Sequence, residues 1–460
     1  MLDVAISHLR ARGITLSRLQ QLHPSIDKAV RGARRRLYTR KFFREGPRAR
    51  GASRGKTFVI FNHCYDLDLD ALCASNSPHT IWALDPFQMF TDVGHYFAPE
   101  EQVLSYPYAR MATSIARYKA AYITDLAHRL RDQTRLDAFI TPTDTAYYLR
   151  PLIEELRALG VPTIVQCKEG TIAPSPMMID HAREIAQCYP PIAEHFFLWN
   201  ASHQDFWRSV GIPGDNMTVL GQPRSDFFFH PDRWPSKALL GLTEGKKLVV
   251  AFTFDSDAYT RVTIPDPERP WLSLRGHMHQ ALLALARERT DVEVVFKAHP
   301  QQAELDEIRA EIVSSPLPNV HFATGAKSAS HLMVRADVIV GFQTTAMIEA
   351  MLTPSPVIYV GWGPEHERRE SKIVPIHRSG GVTIPQSRDE LDRVLRTALD
   401  GNLAPSTEMR RARRAFTDRY FADADGNVSR RVLDAAAELA PLGKSIALPT
   451  RDARAGRRRL

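Results

Sequence analysis

VEVVFKAHP, residues 292–300, and VIVGFQTTAMIEAMLTPSPVIYVGWG, residues 338–363, decide the fold of this chain. In both, a short apolar run rich in β-branched residues ends abruptly in polar ones. That is the pattern of a strand buried on both faces of a parallel sheet, whose carboxyl end is where ligands bind. The first strand delivers Lys297 and His299. They flank Ala298, so strand alternation predicts that their side chains point the same way, and Pro300 then stops the strand. The second delivers Gln343, Thr344 and Thr345 at the start of a helix, with Glu349 one turn on. The two strands are expected to finish side by side. A cation and an imidazole together neutralise phosphate oxygens. A strand–turn–helix junction offers free N–H groups to an anion, and the threonine hydroxyls add donors. Glu349 could accept both hydroxyls of a ribose. Each feature also has a structural reading: a solvated strand end for Lys297 and His299, N-capping for the threonines, and a first-turn acid for Glu349. Together they predict a site for a phosphorylated nucleotide.

Working outward, strands are predicted at 248–254, 320–322, 357–360 and 382–384 besides the two quoted, separated by helices at 276–289, 303–314, 328–334, 345–352 and 388–399. Upstream the same alternation gives strands at 57–61, 80–84, 136–141, 163–167, 196–199 and 218–220, with helices over 109–133 and 149–159. The fold class is therefore α/β, with two doubly wound Rossmann-like units in tandem facing a cleft. A polar stretch at 227–243 holding Pro231 and Pro235 joins them. The expected organisation is a basic helical arm over 1–55, an acceptor domain over 56–235, a nucleotide-binding domain over 236–404, a helical segment over 405–442 and a basic, disordered tail over 443–460. There is no internal repeat.

Charge gathers at the two ends. Residues 1–55 carry 14 Lys and Arg against 3 Asp and Glu, and the last ten carry 5 against 1, so the body between is net negative although the chain is +8. Charge placed on tails rather than on a folded face argues against nucleic acid as a partner. Within the arm, Ile26, Val30, Ala33 and Leu37 mark an amphipathic helix over 24–45 with arginines around it and Phe42 and Phe43 near its end. Such a helix could rest on an anionic inner-membrane surface or pack on the neighbouring domain. No run of 18 apolar residues exists, the N-terminus lacks a signal-type apolar stretch, and Cys64, Cys73, Cys167 and Cys188 show no metal or paired spacing. The expected location is the cytoplasm, with peripheral contact to the inner membrane as the alternative.

Taken together, K-x-H-P, the hydroxyl pair followed by E-A, and P-V-I-Y resemble the C-terminal domain of GT-B glycosyltransferases of the capsule and surface-polysaccharide type. The likeness extends to sialyltransferases, Kdo transferases and CDP-glycerol glycerophosphotransferases. Cys167–Gly170 is similar to the family's E-G turn, Gly221-Gln222-Pro223-Arg224-Ser225-Asp226 to its G-x-P-R-x-D, and Asp425–Arg431 to its D-G-x-A-S-x-R. The chain departs from the pattern in having threonine for serine, and Ala298 for the middle proline. The resemblance covers roughly residues 56–435. It implies a nucleotide-sugar donor, CMP-, CDP- or UDP-linked, used as substrate with no resident cofactor, and a glycan or lipid-linked acceptor. It further implies that Lys297, His299, Pro300, Gln343, Thr344, Thr345 and Glu349 bind the donor. His63, Asp66 and Glu169 are the candidates for the base. Asp66, Asp68 and Asp70 form a D-x-D-x-D, but Ala71 and Ser77 break the calcium-loop pattern, and no metal is expected. Three other readings remain: a CDP-glycerol-type glycerophosphotransferase, a UDP-sugar 2-epimerase-like enzyme, and a non-catalytic nucleotide-binding assembly protein.

Overall fold

The computed structural model describes residues 44–45, 55–62, 65–84, 93–170, 176–258, 266–299, 302–314, 316–325 and 328–440. His63, Pro300, nearly all of the arm and the tail lie outside them. Within the expected arm helix, Arg44–Glu45 is instead a short strand (β1).

From there the first half runs Thr57–Phe61 (β2), Asp66–Cys73 (α1), Thr80–Leu84 (β3), Ala112–Tyr118 (α2), Thr124–Thr134 (α3), Ala138–Thr141 (β4), Arg150–Ala158 (α4), Thr163–Gln166 (β5), Pro176–Cys188 (α5), His195–Leu198 (β6), Ala201–Ser209 (α6) and Met217–Val219 (β7). A π turn at Lys119–Ile123 joins α2 to α3, so the single predicted helix is a continuous but bulged one. The sheet order is β1-β3-β2-β4-β5-β6-β7, parallel except for β1, which runs antiparallel along the edge. Strands β4 and β5 are buried at every residue, as expected of apolar runs covered on both faces.

Short 3-10 turns at Pro223–Phe229, Pro231–Arg233 and Ala238–Leu240 lead to the second half. It comprises Lys247–Phe252 (β8), Leu272–Glu288 (α7), Val292–Lys297 (β9), Leu305–Val313 (α8), Val320–Ala323 (β10), Ser328–Met333 (α9), Val338–Gly341 (β11), Thr345–Ala350 (α10), Val357–Tyr359 (β12), Pro364–Arg369 (α11) and Arg388–Leu399 (α12). The all-parallel order is β10-β9-β8-β11-β12. Thus β9 and β11 are not neighbours: β8, the first strand of this unit, runs between them, which separates their ends by about 10 Å. The strand expected at 382–384 is a single bridge, Ile358 to Thr383. Gly380 and Gly381 before it and Pro385 after it leave no room for a ladder.

Two last helices, Thr407–Phe421 (α13) and Val428–Leu439 (α14), part company. Phe416, Tyr420 and Phe421 of α13 join the core of the second sheet. Val428, Val432, Leu433 and Ala436 of α14 join Phe58, Ile60 and Ile164 in the core of the first.

Candidate functional site

Several expected donor residues do collect along the carboxyl edge of the second sheet, though each is used differently. Lys297 is the last residue of β9 and is buried; its Nζ donates to the carbonyl of Ala298 at 2.6 Å. Burial pushes its pKa down to about 8. His299 lies beyond the strand and is exposed. The strand ends at Lys297, so strand alternation does not extend to His299. Protein packed around the ring nitrogens, although the residue as a whole is exposed, holds the imidazole below its ordinary pKa, and the charges of Lys297 and Lys168 add to this, with Asp255 opposing. Thr344 caps α10, its hydroxyl accepting from Ala346 N at 3.4 Å, and Thr345 opens the helix. Gln343 is committed elsewhere: its amide donates to the Tyr359 hydroxyl at 2.7 Å and the Val374 carbonyl at 2.8 Å, and accepts from Val374 N at 3.0 Å. It anchors the segment after β12 and has no amide hydrogen bond to spare for a phosphate.

Glu349 is buried on α10, and both its hydrogen bonds come from the first half of the chain. Arg224 Nε and Gln222 Nε2 each donate to its Oε1 at 2.8 Å. The Arg224 guanidinium also reaches Asp68 Oδ2 at 3.2 Å, the Lys168 carbonyl at 3.2 Å and Glu169 Oε2 at 3.8 Å. Its backbone N donates to Asp68 Oδ1 at 3.1 Å. The face of the guanidinium lies 4.7 Å from the Trp199 ring centroid. Burial acts to lower the pKa of Arg224, but Glu349, Asp68 and Glu169 override it and hold the group charged. Three carboxylates share one cation. The excess shows on Asp68, which burial raises to about 6 against the pull of Arg224.

Among the base candidates, His63 is outside the described residues. Asp66 opens α1, with Asn62 Nδ2 donating to its Oδ1 at 3.1 Å. At Glu169 protein surrounds the carboxyl, yet the side chain is 59% accessible. Burial raises its pKa, Arg224 and Lys168 pull it down, and Glu349 pushes it up. A carboxyl raised toward neutrality and still reachable is what a general base needs. Within the D-x-D-x-D, Asp68 is turned to Arg224; among the described residues no group of three or more His, Cys, Asp or Glu is placed to hold a metal.

The turn carrying Glu169 is built on Trp199. Its indole N–H donates to the Cys167 carbonyl at 2.7 Å, and Asn200 Nδ2 donates to the Gly170 carbonyl at 3.0 Å. A Cβ on Gly170 would meet the Trp199 ring at 2.7 Å, which is why glycine stands there. Two other motif segments prove to be partners. Asp226 accepts from the backbone N–H of Val428 at 2.9 Å and Ser429 at 2.7 Å, and Ser429 Oγ donates to the Pro223 carbonyl at 3.2 Å. Gly221, at φ +103°, has Phe421 O where a Cβ would come within 2.5 Å. Behind the donor edge, fully buried Arg275 pairs with Glu304, with Glu307 at 2.8 Å and with Glu311 at 2.9 Å. Glu304 in turn accepts from Ser256 N at 2.7 Å, bracing the loop after β8.

Residues 199–438, just over half of the chain, match the family of CDP-glycerol:poly(glycerophosphate) glycerophosphotransferases. The chain belongs to this family. It is therefore a transferase. The glycerophosphotransferase match begins at Trp199 and takes in Arg224, Lys297, His299, Thr344, Thr345, Glu349 and the Asp425–Arg431 segment. No curated protein matches the chain in sequence. Among solved structures, the chain is similar to a protein described as a UDP-N-acetylglucosamine 2-epimerase from Listeria monocytogenes, at 13% identity and a TM-score of 0.49, over 83% of this chain and 96% of that one. A UDP-GlcNAc 2-epimerase from Methanocaldococcus jannaschii gives 11% and 0.48, over 83% and 99%. A UDP-forming trehalose-phosphate synthase from Burkholderia xenovorans gives 13% and 0.44, over 85% and 100%. Likeness at this level carries no weight for function; the GT-B-like description rests on the two sheets themselves.

Within the glycerophosphotransferase match, Arg224 has no role that its local sequence implies. Its signal was its place between Pro223 and Asp226, a charged residue in a segment otherwise fit for a turn. What it pairs with is spread over 281 positions, from Asp68 to Glu349, and no local pattern shows that.

Proposed function

We propose that this protein is a GT-B-type glycosyltransferase. An acceptor hydroxyl attacks the anomeric carbon of a nucleotide sugar, and the bond from that carbon to the nucleotide phosphate breaks. The proton of the hydroxyl passes to Glu169, and the bonding electrons leave with the phosphate, which is met by Lys297, His299 and the Thr344–Thr345 hydroxyls. Glu349 accepts the ribose hydroxyls. With cations of the chain placed at the leaving group, the reaction needs no metal. The observation that carries this reading is that Lys297, His299, Thr344 and Thr345 follow strands of one parallel sheet at the same edge, with Lys168 of the Glu169 turn acting on His299, within a transferase family. The acceptor is a surface glycan or a lipid-linked one, and the basic segment over 1–55 is suited to bring the enzyme to an anionic inner-membrane surface.

The family match favours a second reading: a polyol phosphate is transferred from CDP-glycerol. The acceptor hydroxyl then attacks phosphorus, and CMP departs against the same Lys297 and His299. One experiment separates the two. The full chain is screened for thermal stabilisation by CMP, CDP, UDP and GDP, where a ligand at 100 times its dissociation constant adds about 2.7 kcal/mol. It is then incubated in EDTA with labelled CDP-glycerol or nucleotide sugars. Glycosyl transfer is expected to consume a nucleotide sugar and to be lost in His299→Ala and Thr345→Ala. CMP release from CDP-glycerol alone would establish the second reading. Stabilisation by a nucleotide with no turnover of any donor would leave a binding protein and overturn both.

A further inference from the structure

Glu349 does not stand alone. Both hydrogen bonds it accepts fall on Oε1, from Arg224 Nε and Gln222 Nε2, so these two donors set the orientation of its carboxyl plane. Arg224 is fixed in turn from the other sheet. Its Nη1 is held by Asp68 on α1 and by the carbonyl of Lys168, its Nη2 faces Glu169, and Trp199 lies under its face. A guanidinium is planar with its donors in a rigid fork, so contacts on Nη1 and on the ring face dictate where Nε points. The path from Asp68 through Arg224 to Glu349 is therefore a rigid link from the first sheet to the second.

We propose that Arg224 is the positioning residue for ribose selection: braced by Asp68, Lys168 and Trp199 of the first half, its guanidinium presents the Glu349 carboxylate of the second half to the ribose diol. This rests on the reading of Glu349 as the ribose acceptor. It adds that the choice between ribose and deoxyribose is set by contacts outside the nucleotide-binding sheet. Removing Arg224 leaves the phosphate contacts of Lys297, His299, Thr344 and Thr345 in place but lets the carboxyl of Glu349 turn.

The test is calorimetric titration of the full chain with CDP, UDP and GDP and with their 2′,3′-dideoxy counterparts. Wild type is expected to favour the ribonucleotide by roughly tenfold or more, the worth of a charge-assisted hydrogen bond. In Arg224→Gln the ratio should fall toward one while dideoxynucleotide affinity is kept; a merely misfolded variant would lose both. Glu349→Gln should give the same collapse, and Arg224→Lys, which keeps the charge but not the fork, a partial one. If Arg224→Gln does not fold, the charge-balanced pair Asp68→Asn with Arg224→Met takes its place. Wild type without a ribose preference, or without nucleotide binding at all, would remove the reading of Glu349 and this proposal together. A preference kept in full by the folded Arg224 variant would overturn the proposal and leave Glu349 standing.

Discussion

On the proposed function, Lys297 sets the pH dependence of donor use. Burial lowers its pKa to about 8, so it is mostly protonated at pH 7 and loses its charge as pH rises through about 8. Phosphate binding needs the charged form. We expect kcat/KM for the donor to fall above pH about 8, by roughly 10- to 100-fold at the plateau, the worth of one charge-assisted hydrogen bond. A guanidinium stays charged over this range, so Lys297→Arg should remove that limb, and Lys297→Met should be flat at the lowered level. A pH profile of the three proteins decides it. The residue types at this edge were legible in the sequence because Lys297, His299, Thr344 and Thr345 each follow a short apolar strand. The direction of each side chain was not. Whether Lys297 turns back to its own Ala298 carbonyl, or Gln343 reaches across to Val374, depends on neighbours that local periodicity cannot show.

At the scale of elements, the turn at Cys167–Gly170 is the sharpest test of packing. Alanine at 170 would place a Cβ 2.7 Å from the Trp199 ring, and Trp199 supports Arg224 on its other contacts. Gly170→Ala should cost about 1–3 kcal/mol of stability by urea unfolding, the range for overpacking a filled site. It should also lower kcat, because Glu169 and Lys168 ride on the same turn. Strands were the most readable elements: the reading of 57–61 and 80–84 matches β2 and β3 residue for residue. Buried parallel strands are continuous apolar runs with polar stops, and such runs are local facts. The bridge at Thr383 was overread because a three-residue apolar run says nothing about the length of the strand beside it.

Across the whole molecule, the chain's last described helix, α14, belongs to the first sheet although it follows the second. Leu433 is fully buried there among Phe58, Ile60 and Val432. Leu433→Ala should therefore destabilise the protein by about 2–5 kcal/mol in urea unfolding, as at a core position rather than near a chain end. Asp226 holds this return by accepting the N–H groups that open the helix. The motif segments at Gly221–Asp226 and Asp425–Arg431 could be noticed separately in the sequence, but that one caps the other could not.

The amino-acid sequence by itself determined the α/β class, the positions of the strands, the tandem arrangement and the identity of the polar residues at the strand ends, since all of these follow from runs of neighbouring residues. Only the tertiary structure decided that β8 separates β9 from β11, that α14 returns to the first sheet, and that one half-buried arginine is shared by Asp68, Glu169 and Glu349. Those outcomes depend on which distant surfaces bury each other and on where a desolvated charge finds its partners, and neither is a property of any single stretch of chain.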